Sequence, residues 1–546
     1  MSVTFTLAES LFVGILYWLA YAEVSAPLPF VGVGIQDAST IGLLIGIFYG
    51  NPTQGAILGC SIALMYIANG AVGANLPSDG VLAACIAVPI AIKANLPVET
   101  AVALAVPFGV LGVFIDTGRR LVNGVWNRRA VADVNKRDYS KLWIYGILGP
   151  QLVFILFRVV PLTALLYLFG AAAADIVAKF PTWLNSGLGL IASMLPGLGL
   201  VLCTMFMGKK QLLPYFFIGY YIVYFTHTGY FFVAIIGAII AILHVQFVGY
   251  TFEDDEDEDD EEEVEVRTDI YGEGHAFKSR LDCIWQCYKF FLYFRMSQCI
   301  EYFYGTGVGL WMKKLLKRVY GNDEDAYQTA MLRHYQPFIT NPSWGHELLT
   351  ASIAMEEDIA RNGDPDGSKG SAIETLKTSM MGPMAGLGDG IECGIWMPLW
   401  KALSYPLGMQ GKWYGCWPMF LWFLPMTVVG LVTGVIGYEQ GQKGLLRLLN
   451  SSLIKKFLFG AGIVGILMMG AMAAGYCTVP LNLVINGGEI GGMVDVLGIL
   501  NSIIPGFLPL LYLIIAYVLL NRGVKFTNII IFTVIFGLIC GLLGIC

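Results

Sequence analysis

The sequence predicts an all-α integral membrane protein, a polytopic chain with re-entrant or broken helices in two related membrane domains and an interfacial helical region. Three observations support this fold class. Of the 546 residues, 56% are hydrophobic and 13% are charged, a composition typical of chains that cross a membrane many times. Many apolar segments are shorter than the roughly 20 residues that a straight span requires. An acidic run near the middle separates two apolar halves.

Residues 1–250 form the first predicted membrane domain. No Lys or Arg precedes Lys93, and two polar, glycine-rich pieces, Gly50–Gly55 and Asn69–Gly80, interrupt the apolar sequence. Short apolar segments of this kind indicate re-entrant hairpins and discontinuous helices, with which transporters build a site near the middle of the membrane. Gln211–Tyr250 is long enough for a hairpin of two spans.

Basic residues predict which side of the membrane the first long loop occupies. Seven of them lie close together: Arg119, Arg120, Arg128, Arg129, Lys136, Arg137 and Lys141. By the positive-inside rule this loop is cytoplasmic. Counting spans onward from it, we expect the acidic run to begin in the cytoplasm as well.

Residues 251–268 are predicted to be an acidic cytoplasmic linker. The unbroken run Glu253–Glu263 and Glu265 supply 12 negative charges, and without them the net charge of −7 becomes −7 + 12 = +5. A block of like charges repels itself into an extended, solvated state. The linker is therefore interpreted as a spacer, with capture of a metal ion or a basic partner as the alternative.

Residues 269–376 have the composition of a cytoplasmic or interfacial helical region. Trp311–Tyr320 alternates apolar and basic positions at helical spacing, which suits either a helix in the headgroup zone or one packed on the membrane domain. Glu347–Arg361 predicts a second amphipathic helix that ends at Asn362-Gly363.

Residues 377–546 form the second predicted membrane domain, and Met380–Gly394 is its most informative stretch. It holds five glycines, one proline and the carboxylates Asp389 and Glu392 inside an apolar segment. This composition predicts a break in the helix, and carboxylates at membrane depth are rare without a functional reason. We therefore expect both acids to face a polar solute. The alternative is a turn at the membrane surface with both acids in water.

No motif predicts autonomous catalysis, so whether the chain is an enzyme stays uncertain at this point. The sequence has five histidines and no phosphate-binding lysine loop, dinucleotide fingerprint or nucleophile elbow. His275, Cys283 and Cys287 do not reach a four-ligand zinc pattern. We expect no catalytic residues, no metal, no cofactor and no nucleic-acid partner, and a chain that moves or binds a solute.

The second half carries a series of motifs in a fixed order. They are Arg333-His334-Tyr-Gln-Pro-Phe-Ile-Thr-Asn341-Pro342, Ala354-Met-Glu356-Glu357, Gly382-Pro383-Met-Ala385-Gly386-Leu-Gly388-Asp389, Gly460–Gly470 and Cys540–Gly544. In order and spacing they resemble the IID membrane subunit of the mannose-type (mannose–fructose–sorbose) phosphotransferase system. This resemblance covers roughly Gln298–Cys546.

The first half resembles the IIC partner subunit of the same family, and the match covers Met1–Tyr250. The matching pieces are Gly42–Gly50, Gly55–Gly59, Gly73-Ala-Asn-Leu-Pro-Ser-Asp79, Gly109–Asp116 and Pro214–Gly219. The chain is thus similar to a IIC–IID fusion joined by the acidic linker.

The resemblance implies a sugar permease in the plasma membrane of a bacterium, in contact with membrane lipid. IIC and IID would form the translocation path together, in a homotrimer of IIC–IID units. A hexose-type sugar of the mannose, fructose and sorbose class, or a related one, would be phosphorylated at the cytoplasmic mouth by a separate phosphorylated IIB, itself recharged by IIA.

By motif position, the resemblance implies that Asn75 and Asp79 of the first half and Glu301, Asp389 and Glu392 of the second bind the sugar. Carboxylates and amides can form the paired hydrogen bonds that adjacent sugar hydroxyls require. For Asn75 a local turn is the alternative role.

Two other functions remain open at this stage. The family's element near the start of IID appears here as Gln298-Cys-Ile-Glu301-Tyr-Phe, which keeps the Glu and loses most of the rest. This departure motivates a sugar receptor or docking protein without transport. The third hypothesis is a sugar carrier that is coupled to an ion gradient instead of phosphorylation.

Overall fold

A computed structural model confirms an all-helical membrane protein. It describes residues 4–21, 34–67, 78–178, 180–206, 210–252, 270–450, 452–481, 484–486 and 493–545. Within that part of the chain, six helices are long and apolar enough to cross a membrane, or seven if the bent pair Leu497–Ile503 and Phe507–Asn521 counts as one span. The two members of this pair meet at 75°.

The first half consists of helices of very different lengths. In chain order they are α1 Leu7–Tyr21, α2 Ala38–Phe48, α3 Pro52–Met65, α4 Gly80–Ala94, α5 Val98–Asn135, α6 Gly149–Phe154, α7 Val160–Ala178, α8 Thr182–Phe206, α9 Leu213–Thr226 and α10 Tyr230–Phe252. Two π-helical turns, Ile144–Leu148 and Ile155–Val159, flank α6, and the 3₁₀ turn Lys210–Leu212 precedes α9. The region of the predicted hairpin holds α9 and α10, of which α10 is long enough to cross a membrane and α9, with 14 residues, is shorter than a span.

Glycines allow α2 and α3 to pack as a tight hairpin. A Cβ placed on Gly42 would lie 2.4 Å from the Cα of Gly59, and one on Gly46 would lie 2.7 Å from the Cα of Gly55. The two helices have 11 and 14 residues, fewer than a straight span needs. The prediction of short, broken segments in this region is confirmed.

The second half is also helical, with one small hairpin of strands. Its elements are α11 Arg280–Tyr293, α12 Gly305–Tyr320, α13 Glu324–His334, α14 Pro342–Asn362, α15 Ser368–Ile391, α16 Met397–Met409, α17 Pro418–Asn450, α18 Ser452–Tyr476, α19 Val496–Ile503, α20 Phe507–Asn521 and α21 Phe526–Leu543. Strands β1 Val484–Asn486 and β2 Met493–Asp495 pair antiparallel. The π-turn Glu392–Trp396 joins α15 to α16, and the 3₁₀ turn Trp413–Cys416 precedes α17.

The predicted helix break at Met380–Gly394 is wrong. The chain stays helical through α15, the π-turn and α16. A continuous helix keeps its backbone groups hydrogen-bonded, which matters most at membrane depth, and the irregularity is confined to a π-turn of the kind often found at functional sites.

The interfacial region packs as a core instead of lying on a surface. Trp311, Met312, Leu315 and Leu316 of α12 are buried, which favours packing over the headgroup position. Helix α14 begins earlier than expected and is buried almost all round from Ser343 to Glu357, so it is not a surface amphipathic helix. Its predicted end at Asn362 is confirmed.

Glu356 is the centre of a buried ion cluster that ties three helices together. Its carboxylate accepts hydrogen bonds from Arg333 at 2.6 and 2.8 Å, from His334 at 2.9 Å and from the Tyr320 hydroxyl. Although burial raises the pKa of Glu356, these donors outweigh it and hold the pKa at about 2. Burial lowers the pKa of His334 to about 4, so the ring is neutral near pH 7.

We expect Glu356→Gln to destabilise the protein strongly, because it leaves the Arg333 guanidinium buried without its counter-charge. Breaking a buried ion pair from one side costs about 3–5 kcal/mol. The measurement is the thermal unfolding midpoint of the purified protein in detergent. Glu374→Gln is the control, since Glu374 is exposed and accepts one bond from Gln336. Equal midpoints for the two variants would contradict the structural role of the cluster.

Candidate functional site

A cavity of about 220 Å³, with several polar and charged side chains in a largely apolar lining, lies between the two halves of the chain. At about 30 Å³ per water molecule, it has room for roughly seven waters or one small polar solute. The first half lines it with residues that include Tyr21, Asp37 and Tyr66, and the second half with residues that include Asn341 and Lys401. Both membrane domains therefore contribute to one site.

Asp37 joins the two halves at the wall of the cavity. It caps α2, where its side chain accepts a hydrogen bond from the Ser39 backbone N–H at 3.0 Å. From the second half, the Tyr405 hydroxyl donates to it at 2.8 Å, and the Lys401 ammonium lies 3.5 Å away. Asp37, Lys401 and Tyr405 are all at least nine-tenths buried. A buried carboxylate needs such partners, so the two halves are held together here.

Asp389 and Glu392, predicted from the sequence, both line the cavity. The Asn341 amide donates to Asp389 at 3.2 Å, while the Asn341 side-chain oxygen caps α14 by accepting from the Ser343 backbone N–H at 2.9 Å. The position of Asn341 is thus set by the helix that it caps. The π-turn begins at Glu392, which is 2% exposed.

Three buried polar atoms of cavity-lining residues have no hydrogen-bond partner within the described part of the chain. They are Thr340 Oγ1, Glu392 Oε1 and Trp422 Nε1. Buried polar groups are almost always hydrogen-bonded, and leaving one unpaired costs about 1–3 kcal/mol. All three atoms belong to side chains of the cavity wall, and a hydroxyl, an acceptor and a donor are the kinds of group that pair with the hydroxyl groups of a solute.

Asp79 lies behind the cavity wall. It is fully buried, caps α4 through the Leu82 backbone N–H at 2.9 Å, and accepts bonds from the hydroxyls of Tyr17 at 2.7 Å and Tyr21 at 2.9 Å. Two neighbours of Asp79 line the cavity: Tyr21, which bonds to it, and Gly80, which follows it in the sequence. Direct contact between Asp79 and a sugar stays a prediction, and it requires Tyr21 to move.

Glu301 and Asn75 are the remaining predicted site residues. Glu301 is on the surface, paired with Arg128, and both side chains are about half exposed. It does not belong to the cavity lining, because its neighbours place it beside the basic end of α5. Asn75 lies outside the described residues.

Sequence reasoning missed Asp37, Lys401, Thr340 and Trp422. A sequence signal existed for Thr340, which stands inside the quoted motif that ends Thr-Asn341-Pro342. Asp37, Lys401 and Trp422 stand in no motif, and the contacts of Asp37 with the second half join residues more than 360 positions apart. Local sequence patterns cannot predict contacts between residues so far apart in the chain.

The fold and the cavity together define a class. The chain is a multi-pass helical membrane protein with a buried polar site between two halves, which is the architecture of a solute carrier. Models of two protein families match it. The PTS system mannose/fructose/sorbose family IID component matches residues 279–546, and the PTS system sorbose-specific IIC component matches residues 7–243.

Individual relatives agree with both matches. The fructose permease IID component of Bacillus subtilis is 34% identical over 218 residues, which cover 38% of this chain and 76% of the relative. The mannose-specific EIID component of Escherichia coli K12 is 30% identical over 264 residues, 46% of this chain and 90% of the relative. The mannose-specific EIIC component of the same strain is 21% identical over 207 residues, 37% of this chain and 76% of the relative.

The chain belongs to the mannose/fructose/sorbose family of the phosphotransferase system, with its IIC and IID components fused in one polypeptide. The predicted family is therefore confirmed. A chain of the cryo-EM structure of the mannose transporter ManYZ with microcin E492 is 27% identical and covers 48% of this chain and 95% of that chain, with a TM-score of 0.26. Because this TM-score is low, the description of the fold and the cavity given above makes no use of that structure.

The contact between the halves can be tested through two cysteines. Cys60 of α3 and Cys416 before α17 have their sulfur atoms 3.7 Å apart. We expect a mild oxidant to join them, because a small movement brings the sulfur atoms to bonding distance. With a protease site inserted in the acidic linker, the oxidised and cleaved protein should stay in one piece on a non-reducing gel.

The control for this cross-link is Cys60→Ser, which should separate into two fragments under the same treatment. Eleven cysteines are present in the chain, so the variant excludes joining through another pair. If the two fragments of the unsubstituted protein separate after full oxidation, the packing of α3 against the second half is contradicted.

Proposed function

We propose that the cavity between the halves is the sugar site of a phosphotransferase permease. The transported sugar is a hexose of the mannose, fructose and sorbose class or a related one, and a separate phosphorylated IIB phosphorylates it. Family membership implies the sugar and the IIA and IIB partners. The observation that carries the assignment to this cavity is the set of three unpaired polar atoms on Thr340, Glu392 and Trp422.

The residues fit a sugar by the chemistry of its hydroxyl groups. Each hydroxyl both donates and accepts, so Glu392 and Asp389 accept, the Trp422 indole donates, and Thr340 does either. A site whose buried polar groups bond to sugar hydroxyls discriminates strongly against analogues that lack the matching hydroxyl, because those groups are then left unpaired. Tyr21 adds an aromatic face from the first half.

The position of the site supports alternating access. Asp37 belongs to the first half and Lys401 and Tyr405 to the second, so any movement of one half against the other must break or rearrange these contacts. Sugar entering from outside would bind between the halves, and their relative movement would expose it to the cytoplasm. Phosphorylation there makes the product an anion, which cannot easily return.

The remaining parts of the proposal concern organisation. The acidic linker 251–268 and the helical region 269–376 are assigned to the cytoplasm, supported by the basic cluster from Arg119 to Lys141. The domains are assigned as 1–250 and 377–546 for the two membrane parts, which agrees with family matches that leave residues 244–278 unassigned. Three fused units are proposed to assemble as a homotrimer.

We expect Asp389→Asn and Glu392→Gln to weaken sugar uptake, each raising the KM about tenfold or more, because a hydrogen bond to a charged group is worth about 1.5–3 kcal/mol. Glu301→Gln is the matched control, since it removes a carboxylate outside the cavity and should keep the wild-type KM. The measurement is uptake of radiolabelled sugars by membrane vesicles. Wild-type KM values in both cavity variants would contradict the assignment of the sugar site to this cavity.

Coupling to phosphorylation is tested in the same vesicles, with and without phosphorylated IIB on the cytoplasmic side. We expect sugar phosphate to accumulate only when phosphorylated IIB is present. Free sugar accumulating without it, in dependence on a proton or sodium gradient, would favour an ion-coupled carrier. Sugar binding without any uptake would favour a receptor.

A further inference from the structure

A buried arginine lies directly behind the part of the cavity wall that the first half contributes. Arg158, in the π-turn before α7, is 1% exposed. The centre of its guanidinium lies 3.7 Å from the ring centroid of Tyr21 and 4.8 Å from that of Tyr17. Tyr21 lines the cavity, and Arg158 does not. The arginine therefore reaches the site only through a tyrosine ring.

Two carboxylates hold this arrangement, one at the tyrosine hydroxyls and one at the arginine. Asp79 accepts hydrogen bonds from the hydroxyls of Tyr17 and Tyr21 at 2.7 and 2.9 Å. Asp116 lies 3.4 Å from the Arg158 guanidinium. The tyrosines are thus fixed at the hydroxyl end by one acid, while their faces are covered by a cation that the other acid anchors.

The buried guanidinium of Arg158 makes few hydrogen bonds. Arg158 Nε and Nη1 have no hydrogen-bond partner within the described part of the chain. Its favourable interactions are the charge attraction of Asp79 and Asp116 and the stacking on the rings of Tyr21 and Tyr17. Stacking of a cation on an aromatic face is strongest where water is excluded. The tyrosine faces are therefore among the partners of this charge.

The anchor of Arg158 is itself tied to the second half. Asp116 also accepts a hydrogen bond from Arg119 at 2.8 Å. The Arg119 guanidinium lies 3.4 Å from the side-chain oxygen of Gln298, and the Asn123 amide donates to the Gln298 backbone carbonyl at 3.1 Å. Through these contacts the position of Arg158 depends on the fit between the halves, and so does the position of Tyr21.

We propose that Arg158 is a positioning residue for sugar binding, which acts by holding the Tyr21 ring in place on the cavity wall. This inference rests on the proposed sugar site. Lysine can replace it only in part, because an ammonium group keeps a charge over the ring but has no planar face to stack on it. The sugar would contact Tyr21 and not Arg158, so the arginine determines affinity without touching the ligand.

The test is a double-mutant cycle of Arg158→Lys and Tyr21→Leu, measured as KM and maximal rate of sugar uptake in vesicles with phosphorylated IIB. We expect Arg158→Lys to raise the KM about tenfold with little change in maximal rate, by loss of the stacking. In the Tyr21→Leu background the same substitution should have almost no further effect on KM, because the ring through which it acts is absent.

The matched control is Arg128→Lys. Arg128 lies on α5 in the same half, its side chain is more than half exposed, and it pairs with Glu301 outside the cavity lining. We expect this variant to keep the wild-type KM. An unchanged KM in Arg158→Lys, or an equal loss with and without Tyr21, would overturn the inference.

A second pair of variants applies if Arg158→Lys does not accumulate in the membrane. Tyr21→Phe keeps the ring and should keep most of the affinity, whereas Tyr21→Leu removes the ring and should raise the KM. Equal effects of these two would overturn the inference. Failure of the sugar site itself gives a different result, because Asp389→Asn and Glu392→Gln would then keep the wild-type KM.

Discussion

The structure depends on a buried carboxylate, Asp37, whose partners come from both halves of the chain. A charge in a dry environment is stable only when it is paired and hydrogen-bonded. Ser39 supplies a backbone donor from its own half, and Tyr405 and Lys401 supply a hydroxyl and an ammonium group from the other. The two halves must therefore meet here, and the cavity is the space left beside their contact.

We propose the cavity as the site of a polar solute. Thr340, Glu392 and Trp422 keep polar atoms unpaired in the described part of the structure, and membership of the phosphotransferase family gives a sugar as the matching solute. Behind the wall, Asp79 bonds to the Tyr21 hydroxyl and Arg158 stacks on the Tyr21 ring. Under the two proposals made above, sugar affinity depends both on the side chains that contact the sugar and on the charges that hold Tyr21 in place.

The sequence was sufficient for those features that local composition determines. Glycine-rich interruptions predicted the short helices α2 and α3, and two acids in an apolar stretch singled out Asp389 and Glu392, which both line the cavity. The predicted helix break was wrong because a helix tolerates glycines when its backbone hydrogen bonds persist. The irregularity is confined to the π-turn Glu392–Trp396. Asp37 and Lys401 escaped prediction because tertiary packing alone brings them together.

The most direct measurement of the central claim is a cryo-EM structure of the fused chain with a sugar that it transports. The account predicts density for the sugar between the halves, within hydrogen-bond distance of Glu392 and in contact with the ring of Tyr21. Sugar density confined to another place, such as the open polar groove beside Arg333 and Asp364, with the cavity empty, would contradict it.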